Sequence, residues 1–452
     1  MSDLPRGWVE ARLDAVAAVN PPPVRDLGDD DVVSFVPMAS VEAETGRLDP
    51  SERRPVSEVR RKSYRSFAEG DVLFAKVTPC MENGKIALAA GLANGLGFGS
   101  SEFHVVRPFN GISAKFIMHF LLQKRFRDDA RRDMSGTAGL LRVSSRFLES
   151  STIPIPPSAE QERIVAAIEE QFSRLDAGVA ALERVRQNLK RMRAAVLRDS
   201  WDMAAAVAGG LSRVADLLDC PLANGRSVPD GAADGFPVLR LTCVRDGVID
   251  DTQSKVGAWT AEQANHYLVR AGDFLVIRGN GSKHLVGRGG LVKRDAAVAY
   301  PDTLIRIRPD PNRITARFLG LLWDSSSVRR QLEDAARTTA GIYKINQVSL
   351  GLVELPAPAL ETQENILDLA ASQLSQTDLL NAEIANALGR NSHLRSAILM
   401  AAFSGKLIPQ DPTDEPASVL LERIAAERAS SNGHKTTHVR KSRTTRPKVP
   451  HE

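Results

Sequence analysis

Two pairs of polar loops carry the side chains best suited to chemistry. In the first half, Lys76-Val77-Thr78 leads out of an apolar run into a turn, and Asn83-Gly84-Lys85 follows. Further on, Ser135-Gly136-Thr137-Ala138-Gly139 forms a second polar loop ending at Arg142. In the second half, Arg278-Gly279-Asn280-Gly281-Ser282-Lys283-His284 follows the matching apolar run, and Thr338-Thr339-Ala340-Gly341 leads to Tyr343-Lys344. Amide, hydroxyl and guanidinium groups on exposed loops are the groups that read base edges, while Lys and Arg hold phosphates. Arg278, Asn280 and Lys283 are the groups here that could reach base edges, and Lys76, Lys85, Arg142 and Lys344 those that could hold phosphates. Thr78, Asn83, Thr137, Ser282, Thr339 and Tyr343 complete the candidate DNA-binding set. Solvated turns share this composition. What separates these loops is that both pairs recur at one fixed distance along the chain.

Enzyme readings find less support. Asn20-Pro21-Pro22-Pro23 is similar to the N-P-P-aromatic motif of amino-methyltransferases, but Pro23 stands where the aromatic would stack on a flipped base. A Pro-rich turn is the better reading. The Gly-rich stretches 91–99 and 279–290 lack the phosphate cradle G-x4-G-K-[ST], and Gly405-Lys406-Leu407 lacks its hydroxyl. Eight scattered histidines and the cysteines Cys80, Cys220 and Cys243 offer no metal-ligand spacing and no disulfide framework, which fits a reducing cytoplasm. No catalytic residue and no metal ligand is assigned, and no cofactor is expected on this chain. No apolar run is long enough to cross a bilayer, so no membrane partner is expected.

The net charge of +4 is misleading about partners. Lys435, Arg440, Lys441, Arg443, Arg446 and Lys448 face one acid, Glu452, in a C-terminal tail read as solvated and disordered, with non-specific DNA contact as its alternative. Without that tail the chain carries about −1, so any basic groove must come from local clustering or from other subunits.

The elements that must position the loops come in two copies. Pro154-Ile155-Pro156 with Gln161-Glu162 and Ile164 matches Pro356-Ala357-Pro358 with Gln363-Glu364 and Ile366, an offset of 202. The same offset pairs Gly70-Asp71 with Gly272-Asp273, the 112–116 stretch with 314–318, Thr137-Ala138-Gly139 with Thr339-Ala340-Gly341, Asp176 with Asp378 and Arg193 with Arg395. Each copy opens with a mixed α/β globule of short strand-like runs, such as Val72-Leu73-Phe74 and Phe274-Leu275-Val276-Ile277, plus one helical stretch, 114 to about 132 or 315 to about 336. With 452 residues and 43% apolar content, two such cores are affordable.

A long helix follows each globule. Ser158 after the prolines is the expected N-cap, with Gln161 closing a capping box. Ile168, Leu175, Leu182, Leu189 and Val196 then recur every seven residues, with Phe172 and Val179 in the companion seam. The second helix, from about Leu360 to Phe403, carries Leu374, Ile384, Leu388 and Ile398 but is broken by Thr377, Asn381, Asn391 and Arg395. The expectation is α+β: two similar globules and two long helices pairing as an antiparallel intramolecular coiled coil, with pseudo-twofold symmetry. Helices of 40–45 residues would form a rod of roughly 60–68 Å. The competing arrangement lays each helix on its own globule. The boundaries expected are 1–153 and 206–355 for the globules, 154–205 and 356–408 for the helices, and 409–452 for a C-terminal segment with a short helix.

This order of parts resembles the specificity subunit of type I restriction-modification enzymes. The resemblance covers nearly the whole chain. It is carried by Ile153-Pro154-Ile155-Pro156-Pro157 with Glu160-Gln161-Glu162-Arg163-Ile164, by Leu355-Pro356-Ala357-Pro358 with Gln363-Glu364, by Thr78-Pro79-Cys80-Met81-Glu82-Asn83-Gly84-Lys85-Ile86, and by Phe403-Ser404-Gly405-Lys406-Leu407-Ile408-Pro409 with Leu420-Leu421-Glu422-Arg423-Ile424. It implies that each globule is a target-recognition domain for one half of a bipartite, asymmetric site on double-stranded DNA. It also implies that the helices dock two methyltransferase subunits and, through them, two restriction subunits. S-adenosylmethionine, ATP and Mg2+ would then belong to those partners. A coiled-coil adaptor that binds only protein is the alternative.

Overall fold

The computed structural model describes residues 4–23, 27–60, 63–137, 139–231, 234–339 and 341–435. Arg440, Lys441, Arg443, Arg446 and Lys448 of the basic tail lie outside the described residues. The chain divides into two compact units: Met1–Ala180 with Leu388–Glu452, and Ala181–Ala387. Both divisions fall inside the long helices.

In the first unit, strands Ala17–Val19, Phe103–Pro108, Val72–Ala75 and Ile86–Leu88 form one four-stranded sheet in that order. A second sheet runs Arg53–Pro55, Val32–Val36, Leu96–Gly99, Arg65–Ala68. The helical stretch is split into α1 (Ala114–Leu122) and α2 (Lys124–Asp133), because Gln123 adopts an extended ψ of 134°. A single helix was expected here. α1 buries Phe116, Ile117, Phe120 and Leu121 on the sheet, and α2 turns away with only Phe126, Arg127 and Ala130 buried. Then α3 runs from Ser158 to Val207, 50 residues or about 75 Å at the helical rise.

In the second unit, Leu218–Asn224, Leu304–Pro309, Phe274–Ile277 and Gly289–Leu291 repeat the first sheet's order, extended by Val248–Ile249 and Val244–Arg245. Here too the helix is split, into α4 (Ala316–Trp323) and α5 (Ser326–Ala335), where the Ser325 hydroxyl accepts the Val328 N–H as an N-cap. α6 spans Leu360–Phe403, and α7, Ala417–Lys435, follows in the first unit.

The two long helices pack on each other and on the globules, so both expected arrangements contribute. In the first unit, Ile164, Val165, Ile168 and Phe172 of α3 share one core with Leu399, Ala402 and Phe403 of α6 and with Phe116 and Phe120. In the second, Val196, Leu197 and Ala204 of α3 join Ile366, Leu367 and Ala370 of α6 around Phe318 and Trp323. The early part of one helix meets the late part of the other, so they run antiparallel. Leu189, Val196 and Ile384 are buried, while Leu175, Val179, Leu182, Leu374, Leu388 and Ile398 are half-buried. Thr377, a break in the seam pattern, is buried and donates to the Leu374 carbonyl within its own helix (2.8 Å).

The residues paired by the 202 offset exchange partners across these helices. Arg395 binds Asp176 within the first unit, and Arg193 binds Asp378 at 3.0 Å within the second. Another matched pair sits on the central sheets, between neighbouring strands. Buried Asp71 takes a two-pronged hydrogen bond from Arg107 (2.7 and 2.7 Å), and buried Asp273 takes one from Arg308 (2.7 and 2.9 Å).

The P-x-P-x4-Q motif acts differently from the capping box expected. Ser158 is already helical, and its hydroxyl donates to the Gly111 carbonyl (3.1 Å). Gln161, fully buried, reaches across to α1: its Oε1 accepts the Ser113 N–H (2.9 Å) and its Nε2 donates to the Pro156 carbonyl (3.1 Å). Gln363 does the same with Thr315 N–H (2.9 Å) and the Pro358 carbonyl (2.8 Å). Each glutamine satisfies a donor at the start of the globule's helix and so locks the long helix to it.

Candidate nucleic-acid interface

The two loops predicted in each half are brought together into one small sheet. In the first unit, Ser135–Thr137 and Leu140–Arg142 form a hairpin, with Thr137 opposite Leu140. Val77 bridges to Arg142, the Thr78 N–H donates to the Leu141 carbonyl (3.0 Å), and the Val143 N–H donates to the Lys76 carbonyl (2.8 Å). In the second unit, Arg337–Thr339 and Ile342–Lys344 form the hairpin, and Gly279–Asn280 pairs with it, Gly279 opposite Lys344 and Asn280 opposite Tyr343. The Ile345 N–H donates to the Arg278 carbonyl (2.9 Å). The hydrogen bonds thus repeat at the sequence offset, while the side chains they display differ.

Several of the candidate cations already have partners. Lys76 is half-buried and donates to the Ser101 carbonyl (2.7 Å); burial lowers its pKa from the usual ammonium value. Arg142 is clamped by Glu102 through Nε and Nη2 (2.9 Å each), leaving Nη1 for a ligand. That guanidinium hydrogen bond is the main reason the Glu102 pKa falls below the carboxylate norm. Thr78 Oγ1 accepts the Leu141 N–H (3.1 Å). Lys85 turns inward to the Met38 carbonyl (2.8 Å), and Asn83 is exposed in its turn. Thr137 is exposed on the hairpin.

The second unit presents its polar groups more openly. Lys283 and Lys344 are exposed, and Tyr343 is half-buried. Arg278 donates weakly to the Asp302 carbonyl (3.3 Å). Asn280 Oδ1 accepts the Ser282 N–H (3.0 Å), and its amide NH2 has no hydrogen-bond partner among the described residues. The position matching Glu102 is held by Thr303: the Lys76 N–H donates to the Glu102 carbonyl as the Arg278 N–H does to that of Thr303 (2.9 Å each). No carboxylate therefore stands there to clamp Lys344. Thr339 closes its strand opposite Ile342.

His104 and Asn20 were not among the candidates, yet they brace the strand that leads out of the first hairpin. His104 is buried. Its Nε2 lies 2.9 Å from the Val143 carbonyl and its Nδ1 3.0 Å from the Asn20 amide nitrogen. These partners fix a neutral ring with the proton on Nε2, and burial holds its pKa below the usual histidine value. The Asn20 amide is thus engaged inside the globule, also accepting the Val105 N–H (3.2 Å), which agrees with a structural rather than catalytic reading of the Pro-rich turn. Among the described residues no cluster of His, Cys, Asp or Glu is arranged to hold a metal, and no helix is long and apolar enough to cross a membrane.

A family profile described as the type I restriction modification DNA specificity domain matches residues 5–189, the first globule and much of α3. The StySPI specificity subunit of Salmonella potsdam is 31% identical over 356 residues, covering 74% of this chain and 75% of that protein. The chain belongs to the type I restriction enzyme specificity subunits. The EcoKI specificity subunit of Escherichia coli K12 is 29% identical over 355 residues, covering 74% of this chain and 76% of the other. The fold agrees with solved specificity subunits. The HsdS subunit from Thermoanaerobacter tengcongensis matches with a TM-score of 0.52 at 20% identity, over 89% of this chain and 98% of that one. A chain from work on complex assembly and conformational transition of the type I R-M system reaches 0.66, also at 20% identity, over 89% and 99%. In this specificity subunit the two hairpin layers share their backbone pairing but carry different side chains at several positions, Ser135 against Arg337 and Leu141 against Tyr343.

Proposed function

We propose that each unit binds one half of a bipartite, asymmetric double-stranded DNA target through its hairpin layer, and that catalysis resides in other subunits. The observation that carries this reading is the pair of layers with matching hydrogen bonds and different displayed groups: Arg142 and Thr78 in one, Lys344 and Asn280 in the other. A repeated frame with unlike side chains suits two readers of unlike half-sites. The paired helices would fix the number of unread base pairs between them.

The same helices would dock two methyltransferase subunits, with two restriction subunits joining through them. What supports this is apolar surface. Leu369 and Leu379 on α6 are 60% and 66% exposed, and Leu380, Leu394, Met400, Val185 and Met192 are also exposed on the two long helices. Single exposed apolar residues are ordinary, but several on one helix suit a surface that another chain covers. S-adenosylmethionine, ATP and Mg2+ would be ligands of those partners, and the complex would work in the cytoplasm.

A gel shift of the chain assembled with its methyltransferase subunits tests the reading. Binding that survives competition by random DNA but not by target DNA is the expected result. Equal competition by both would favour the protein-only adaptor.

A further inference from the structure

One feature of the hairpins is kept in both halves and is neither polar nor buried. Leu140 and Ile342, 202 residues apart, are each 45% exposed. Each follows a glycine of positive φ, Gly139 at +88° and Gly341 at +78°, beside which a Cβ would meet nothing within 4 Å. Each also sits one residue beyond the point where the hairpin is tied to the neighbouring strand. Leu141 is held on both sides by Thr78, and Tyr343 is paired with Asn280. An apolar side chain is therefore held out from an anchored backbone, at the same place twice.

The flanks of the hairpin change between the copies while its tip is kept. Ser135 becomes Arg337, Gly136 becomes Thr338, and Leu141 becomes Tyr343, whereas Thr137, Ala138, Gly139 and the apolar residue return as Thr339, Ala340, Gly341 and Ile342. Two readers of unlike half-sites have few bases in common, so a group kept in both suits a task that does not depend on sequence. An aliphatic side chain cannot hold a phosphate. Its sequence-independent use on DNA is to enter between neighbouring base pairs and loosen their stacking, as apolar side chains do in proteins that kink the duplex.

We propose that Leu140 and Ile342 are wedges, each pressed against one base step of its half-site. This rests on the reading that both units bind DNA. It adds a local deformation at each half-site, placed by the anchored hairpins.

The test uses the full chain assembled with its methyltransferase subunits, without S-adenosylmethionine, on its mapped target carrying 2-aminopurine at successive positions. The wild-type complex should raise the fluorescence several-fold at one step in each half-site. Leu140→Ala should abolish the rise in one half-site and Ile342→Ala in the other, with thermal unfolding unchanged, and Leu140→Phe should keep it. If alanine weakens binding too far to read, recovery of both binding and fluorescence by Leu140→Phe supports the wedge, and recovery by Leu140→Gln overturns it. A rise that persists in the double alanine variant, or a wild-type complex that binds its target with every step stacked, also overturns the wedge while leaving the DNA reading intact. Loss of sequence-dependent binding by the wild-type complex itself would remove that reading and the wedge together.

Discussion

Single side chains decide how the long helices are held. Gln161 and Gln363 each satisfy a half-buried N–H and a buried carbonyl. Gln161→Ala should lower the stability of the first unit by about 1–3 kcal/mol, the usual cost of orphaning a buried polar group, as read from denaturant unfolding. His119 acts in the opposite sense. It is 2% exposed, neither ring nitrogen has a hydrogen-bond partner among the described residues, and its ring meets Phe172 edge-on at 5.8 Å. Burial, with help from Lys115, pushes its pKa down to about 4. The folded pKa lies below the unfolded one, so its contribution is fully present above about pH 6.5 and is lost as pH falls toward 4. Lowered His104 adds to the same slope. At about 1.4 kcal/mol per pKa unit, His119 accounts for roughly 3 kcal/mol across that window. His119→Leu, copying Leu321 of the second unit, should flatten the fall in melting temperature between pH 6.5 and 4. An unchanged slope would remove His119 as its cause. The sequence showed which polar loops recur at the repeat distance, and each pair lies side by side in the fold. It did not show that Arg142 is clamped by Glu102 or that Gln161 reaches Ser113. Those partners lie 40 and 48 residues away, and no local pattern encodes them.

At the scale of elements, a glycine explains why one unit carries an extra helix. α7 packs in the first unit with Leu420 and Ile424 buried, and Arg428 donates to the Asp14 carbonyl (3.0 Å) while lying 4.8 Å over the Phe109 ring. Gly111 makes room for it: a Cβ there would stand 2.5 Å from Leu420 Cδ1, and its φ of +86° already favours glycine. The matching residue of the second unit is Arg313, whose guanidinium donates to the Asp216 carbonyl (2.6 Å), the counterpart of Asp14. The second unit thus meets with its own side chain the acceptor that α7 serves in the first. Gly111→Arg should release α7, seen as a gain of amide exchange and protease cleavage across 417–435. Protection equal to wild type would show that α7 is held by other contacts. The extents of α3 and α6 were legible from prolines and periodicity, since Pro157 and Phe403 bound them closely. The breaks at Gln123 and Ser325 were not, because the apolar pattern continues past them.

At the scale of the molecule, the repeat is the property most openly written in the sequence. It survives in the order of the central sheets, the buried Asp–Arg pairs, the locking glutamines and the exchanged Arg–Asp pairs of the long helices. What periodicity alone left open was whether the helices pair or lie on the globules. Ile168 and Phe172 sit in a globule's core as well as facing α6, so one seven-residue pattern serves both contacts. If the helices set the gap between half-sites, inserting four residues near Ala180 should lengthen the unread spacer of the methylated target. An unchanged spacer would end the ruler idea. The central claim is two half-site readers in one chain. Methylome sequencing of a host expressing the chain with its partner subunits tests it most directly, repeated with Asn280→Ala and Lys283→Ala in the second unit. The account predicts a two-part asymmetric motif with a fixed gap, of which these substitutions relax one part and leave the other intact. A single continuous motif, or substitutions that alter both parts equally, would contradict it.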